Sequence, residues 1–137
     1  MKLHVLEISD DLSELHRVND FLEQLAIDWK IPEKIVFNLI LTIEELVSNV
    51  INYGFDARGN TIIIAFEIDD GVIGVRIEDK GKAFNPLEMP SPDVEAPAEE
   101  RRIGGLGIHL AKTLMDSFVY ERKGDRNIVT IKKRIVQ

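Results

Sequence analysis

Apolar residues change their period repeatedly along this chain, and each change predicts an element. Leu3, Val5, Leu6 and Ile8 recur near period two, which predicts a first strand over Lys2 to Ser9. From Asp10 to Lys30 the period becomes helical, with Leu12, Leu15, Val18, Phe21, Leu22, Leu25 and Trp29 three or four residues apart and Ser9 or Asp10 as cap. Ile31-Pro32 breaks that helix, and Pro32 suits the first turn of a second, Pro32 to Tyr53, which Gly54 is placed to end. Val36, Leu39, Ile40, Ile43, Leu46, Val47, Val50 and Ile51 share one broad face of it. Thr61 to Ile68 and Val72 to Glu78 read as strands joined by the tight-turn signal Asp69-Asp70-Gly71. Gly107 to Asp116 reads as a third helix, and Ser117 to Lys123 with Asn127 to Ile135 as a closing hairpin around Gly124-Asp125.

Polar residues out of step with this pattern are the candidates for chemistry. Asn38, Thr42, Glu45, Asn49 and Asn52 form a stripe on the second helix, with Glu45 and Asn49 one turn apart. Asn is a poor helix former, so the stripe is either a solvated face or a place where an amide and a carboxylate converge on a cation or phosphate. After the third strand comes Asp79-Lys80-Gly81, either a plain turn or an acceptor for an exocyclic amine beside a glycine that lets a flat ring approach. Residues 86 to 102 hold four of the five prolines and many acids, which predicts a lid ending in Arg101 and Arg102. Those arginines either meet a terminal phosphate or balance the preceding glutamates. Gly104-Gly105-Leu106-Gly107 then opens the third helix, where free amides favour an anion.

Composition narrows the classes. The 137 residues, 45% hydrophobic and 30% charged, fit one domain spanning 1–137. The absence of cysteine excludes disulfides and thiolate metal sites, and His4, His16 and His109 are too far apart for a paired zinc site. A net charge of −7 argues against nucleic acid. No apolar run approaches the roughly 20 residues of a membrane span, and the start is charged too soon for a secretory signal, so a cytoplasmic protein without a membrane role is expected.

Taken together and in order, Glu45-Leu-Val-Ser-Asn49, Asp79-Lys-Gly81-Lys-Ala-Phe84 and Gly105-Leu-Gly107 resemble the N, G1 and G2 boxes of the GHKL ATPases. Glu99-Glu100-Arg101-Arg102-Ile103-Gly104-Gly105-Leu106-Gly107 and Leu114-Met115-Asp116 are similar to the small bacterial anti-sigma-factor serine kinases, the RsbW-like group. The resemblance implies an α/β (α+β) two-layer sandwich of Bergerat type, with a largely antiparallel sheet of about five strands on three helices and an ATP lid at about 86–103. It implies ATP and Mg²⁺ as cofactors, with Asn49 at the metal, Glu45 as the catalytic acid-base group and Asp79 reading adenine. Gly81 and Phe84 belong to the adenine box, and Gly104, Gly105, Leu106 and Gly107 to the phosphate loop. Thr130 matches a hydroxyl that helps Asp79, and Arg101 or Arg102 a phosphate contact. The implied partners are an anti-anti-sigma-type antagonist as protein substrate and a sigma factor, with a homodimer plausible. A nucleotide-responsive binding switch without phosphoryl transfer is the rival function.

Overall fold

In a computed structural model that describes residues 1–88 and 105–135, the strands form one antiparallel sheet in the order β1-β2-β3-β5-β4. They are β1 Lys2–Ser9, β2 Thr61–Asp69, β3 Val72–Asp79, β4 Ser117–Lys123 and β5 Arg126–Arg134. The helices are α1 Leu15–Trp29, α2 Glu33–Asn49 and α3 Gly105–Leu114. An antiparallel five-stranded sheet with three helices is the expected fold class, and each expected element is present within a few residues of its predicted span.

Alternation along the strands fixes which face is covered. Ile62, Ile64 and Phe66 on β2, Ile73, Val75 and Ile77 on β3, and Val129 and Ile131 on β5 are buried. They join Val18, Leu22 and Leu25 of α1 and Leu39, Ile43, Leu46 and Val47 of α2 in one apolar cluster. Leu3, Val5 and Val119 lie out of phase with these rows and remain exposed. Asp70 and Gly71 both take positive φ, 50° and 74°, as the two-residue hairpin turn requires.

Two boundaries differ from expectation for physical reasons. Asp11, not Ser9 or Asp10, caps the start of the first helical segment by accepting from the Ser13 N–H at 2.9 Å. Asp10 instead holds the loop before β2, accepting from the backbone N–H of Gly59 and from Asn60 through both its backbone and its side chain. The second helix widens into a π-turn over Val50–Gly54, so its last residues are not ordinary α-helix. By length and composition alone Glu33–Gly54 is apolar enough to cross a membrane, which the sequence reading had discounted. Here Leu39, Ile43, Leu46 and Val47 of that stretch form the core against the sheet.

Phe66 has no exposed surface and packs its ring 5.5 Å from Phe21. Phe66→Ala is expected to cost about 3–5 kcal/mol in urea unfolding. Val5→Ala, on the open face, is expected to change stability by no more than about 0.5 kcal/mol.

Candidate functional site

The inward rows of β3 and β5 turn polar at one end of the sheet. Asp79 continues the phase of Ile73, Val75 and Ile77, and its partner across the ladder is Asn127, in phase with Val129 and Ile131. Both are 4% exposed. Asp79 Oδ1 accepts from the Gly81 N–H at 2.8 Å and from Asn127 Nδ2 at 3.0 Å. Among the described residues no donor meets Oδ2. Asp79 also lines the cleft described below. Oδ2 is therefore the acceptor left for a ligand.

Beneath this sheet end runs the polar stripe of α2. Thr42 and Asn49 are buried, so the stripe is not a solvated face, although Asn52 at its end is exposed. The Thr42 hydroxyl returns to the Asn38 carbonyl at 2.9 Å and is spent within the helix. Asn49 Nδ2 donates to Glu45 Oε1 at 3.3 Å, which leaves the Asn49 carbonyl oxygen without a partner among the described residues. Burial raises the pKa of the half-buried Glu45, and the hydrogen bond from Asn49 opposes the shift.

Asn49, Asp79, Phe84 and Asn127 line one cleft of about 400 Å³, including its open mouth, with Leu46, Val50, Ile77, Val129 and Pro86 as apolar wall. Few convergent polar groups on an apolar wall is the usual build of a small-molecule site. A single amide oxygen fits a Mg²⁺ ion that takes its other ligands from phosphate and water. No cluster of three or more His, Asp or Glu among the described residues could hold a metal by itself.

Close contacts place steric demands on two of the glycines. A Cβ on Gly81 would strike the carbonyl of Gly54 and approach Asp79 Oδ1 to 2.9 Å. Gly81 is thus required by internal packing, which the Lys82 N–H bond to the same carbonyl, 2.8 Å, reinforces. α3 begins at Gly105, so Gly105, Leu106 and Gly107 lie inside its first turn and not in a loop before it. A Cβ on Gly107 would overlap the Glu45 carboxylate, so the missing side chain there makes room for Glu45. Lys112 of α3 donates to the Leu87 carbonyl at 3.0 Å and ties the helix to the turn Pro86–Glu88.

Thr130 is a correction. It is one residue out of phase with Asn127 and Val129, opposite Arg76 and Val119. It lines a groove with Leu3, Glu67 and Arg76 on the open face. The sheet therefore separates its hydroxyl from Asp79, and Asn127 stands where that helper was expected. The missed signal was strand phase, since Asn127 precedes Val129 and Ile131 at intervals of two. Arg101, Arg102 and Gly104, and the proposed lid from residue 89 onward, lie outside the described residues.

Comparison with known proteins bears on the fold and the family. Residues 8–133 match the family described as Histidine kinase-like ATPase domain. The chain is 23% identical over 131 residues to the serine/threonine-protein kinase BtrW of Bordetella bronchiseptica, covering 95% of this chain and 92% of that one. It is 32% identical over 84 residues to the serine-protein kinase RsbW of Listeria monocytogenes, 58% of this chain and 54% of that one. To the anti-sigma F factor of Clostridium acetobutylicum it is 26% identical over 102 residues, 69% and 66% of the two chains. The chain thus spans about half to two thirds of the last two relatives. The fold matches a structure of the RsbU and RsbW domains of a Mycobacterium tuberculosis protein with a TM-score of 0.70 at 13% identity, over all of this chain and 33% of that one.

The raised pKa of Glu45 carries a sign for stability. The folded state binds its proton more tightly than the unfolded chain, so the group's contribution is fully present below the unfolded value and is lost as pH rises through the folded one. Glu45→Gln removes the buried charge and keeps the acceptor for Asn49, so it is expected to raise Tm at pH 7. The gain should shrink as acidification protonates Glu45 in the parent, and thermal melts across pH check it.

Proposed function

Since the chain belongs to the histidine kinase-like ATPase domain family, we propose that it is an ATP-dependent serine/threonine protein kinase acting as an anti-sigma-type regulatory factor on an antagonist protein. The observation that carries this reading is the polar seam between sheet and α2, where an open Asp79 oxygen, the Asn49 amide and the half-buried Glu45 lie in sequence along one cleft wall and the helix beneath it. The printed names of the relatives, serine-protein kinase and anti-sigma factor, support the class of partner. An anti-anti-sigma-type antagonist is the proposed phosphoryl acceptor and a sigma factor the proposed regulated protein.

In this reading Asp79 Oδ2 accepts from the adenine amino group, while Phe84 and the apolar wall exclude water from the ring. Mg²⁺, when bound, neutralises phosphate charge, and Asn49 Oδ1 is the ligand that would hold it. The first turn of α3 presents free backbone amides to the phosphate side. Glu45 takes the proton of a serine or threonine hydroxyl as that oxygen bonds the γ-phosphorus and the bond to ADP breaks. Burial strengthens Glu45 as a base, because the same desolvation that raises its pKa favours proton uptake.

Incubation with γ-labelled ATP and candidate antagonists tests the assignment. Glu45→Ala is expected to lower transfer about 10²- to 10⁴-fold while leaving ADP affinity within about threefold. The acid limb of the parent's rate should lie above the ordinary glutamate value of 4.5, since only the deprotonated carboxylate serves as base. Transfer at the parental rate by Glu45→Ala contradicts the role. Nucleotide binding with no label transferred to any antagonist supports instead a switch that binds ATP to change its protein-binding surface.

A further inference from the structure

Asn127 is the most fully engaged side chain at the site. Its Nδ2 donates to Asp79 Oδ1 at 3.0 Å and to the Lys82 carbonyl at 2.7 Å. Its Oδ1 accepts from the Tyr120 hydroxyl at 2.6 Å and from the Phe84 N–H at 3.3 Å. A primary amide has two donors and one oxygen with two acceptor sites, so its capacity is filled and none remains for a ligand. The partners also fix its orientation. Turning the amide over would set its oxygen against a carboxylate and a carbonyl, and its NH₂ against the Phe84 N–H.

Tyr120 does not line the cleft. It comes from β4, a strand at the sheet's edge whose neighbour in the ladder is β5, and among the described residues its hydroxyl reaches the cleft wall through Asn127. The order of influence is therefore Tyr120 to Asn127 to Asp79. With Oδ1 held by Gly81 and Asn127, the Asp79 carboxylate cannot turn freely, and among the described residues Oδ2 is left as a bare acceptor. A bare acceptor beside an apolar wall distinguishes ligands by whether they bring a donor, because one that does not leaves the carboxylate oxygen unpaired.

We propose that Tyr120 and Asn127 are positioning residues that hold Asp79 with Oδ2 open, and so set the preference of the cleft for a purine bearing a 6-amino group. This rests on the adenine-nucleotide reading of the cleft. It adds that the preference is built by two residues that do not touch the base edge.

The test is calorimetric titration with ADP and with purine riboside 5′-diphosphate, which carries hydrogen in place of the 6-amino group. The parent should prefer ADP by about tenfold or more. Asn127→Ala should lower ADP affinity about tenfold and that of the analogue by less than about twofold, and Tyr120→Phe should act in the same direction by about threefold. Collapse of the preference in both variants supports the proposal. Equal losses for the two ligands mean that the pair serves only folding, and unchanged affinities mean that it does nothing at the site; either result overturns the proposal while leaving the adenine-nucleotide reading of the cleft standing. Should Asn127→Ala not fold, Tyr120→Phe, which removes one oxygen, decides alone. A parent that binds neither ligand refutes the adenine-nucleotide reading itself, and the proposal with it.

Discussion

Asp79 has only 4% of its surface exposed and ends an otherwise apolar row, and a carboxylate so placed is tolerated only where donors meet it. Much of the site's architecture follows from meeting that demand. Gly81 must turn its N–H back toward Oδ1, and it can do so beside the Gly54 carbonyl only because it lacks a Cβ. Asn127 must stand across the ladder with its NH₂ turned inward, which engages Tyr120, Lys82 and Phe84. The turn after β3, the end of α2 and the β4–β5 hairpin are thereby joined around one side chain. The remaining oxygen is what the fold leaves over for binding.

The second half of the site depends on close approach. Glu45 and Asn49 are one turn apart on α2 and hydrogen-bonded to each other, and α3 comes near enough that a Cβ at position 107 would displace the Glu45 carboxylate from its place. Burial desolvates Glu45, which raises its pKa and strengthens its basicity. The same burial is a local cost to stability while Glu45 is charged, of the kind that active sites commonly carry.

Much of this was legible in the sequence because the polar residues broke strong periods. Glu45 and Asn49 stood out on a helix otherwise rich in Ile, Leu and Val, and Asp79 stood at the end of an alternating strand. Thr130 falls outside the site because Asn127, Val129 and Ile131 hold the inward row of β5. A hydroxyl looks like an adenine helper from its chemistry alone, but strand phase decides which side of the sheet it occupies. Asp10 was misread for a related reason. Local sequence offers it as a cap, while its partners, Gly59 and Asn60, lie far along the chain and appear only on folding. The glycines were found at the right places, yet steric contacts with Gly54 and Glu45 belong to tertiary structure and leave no local trace.

The central claim is that Asp79 reads a 6-amino group through a free carboxylate oxygen. Asp79→Asn tests it most directly, since the amide oxygen can still accept from Gly81 and Asn127 while an NH₂ replaces the open acceptor. Calorimetric titration of the folded variant with ADP and with IDP, whose base carries a 6-oxo group, is expected to show ADP affinity reduced at least about tenfold and IDP affinity maintained or improved. Undiminished ADP binding by Asp79→Asn would contradict the account.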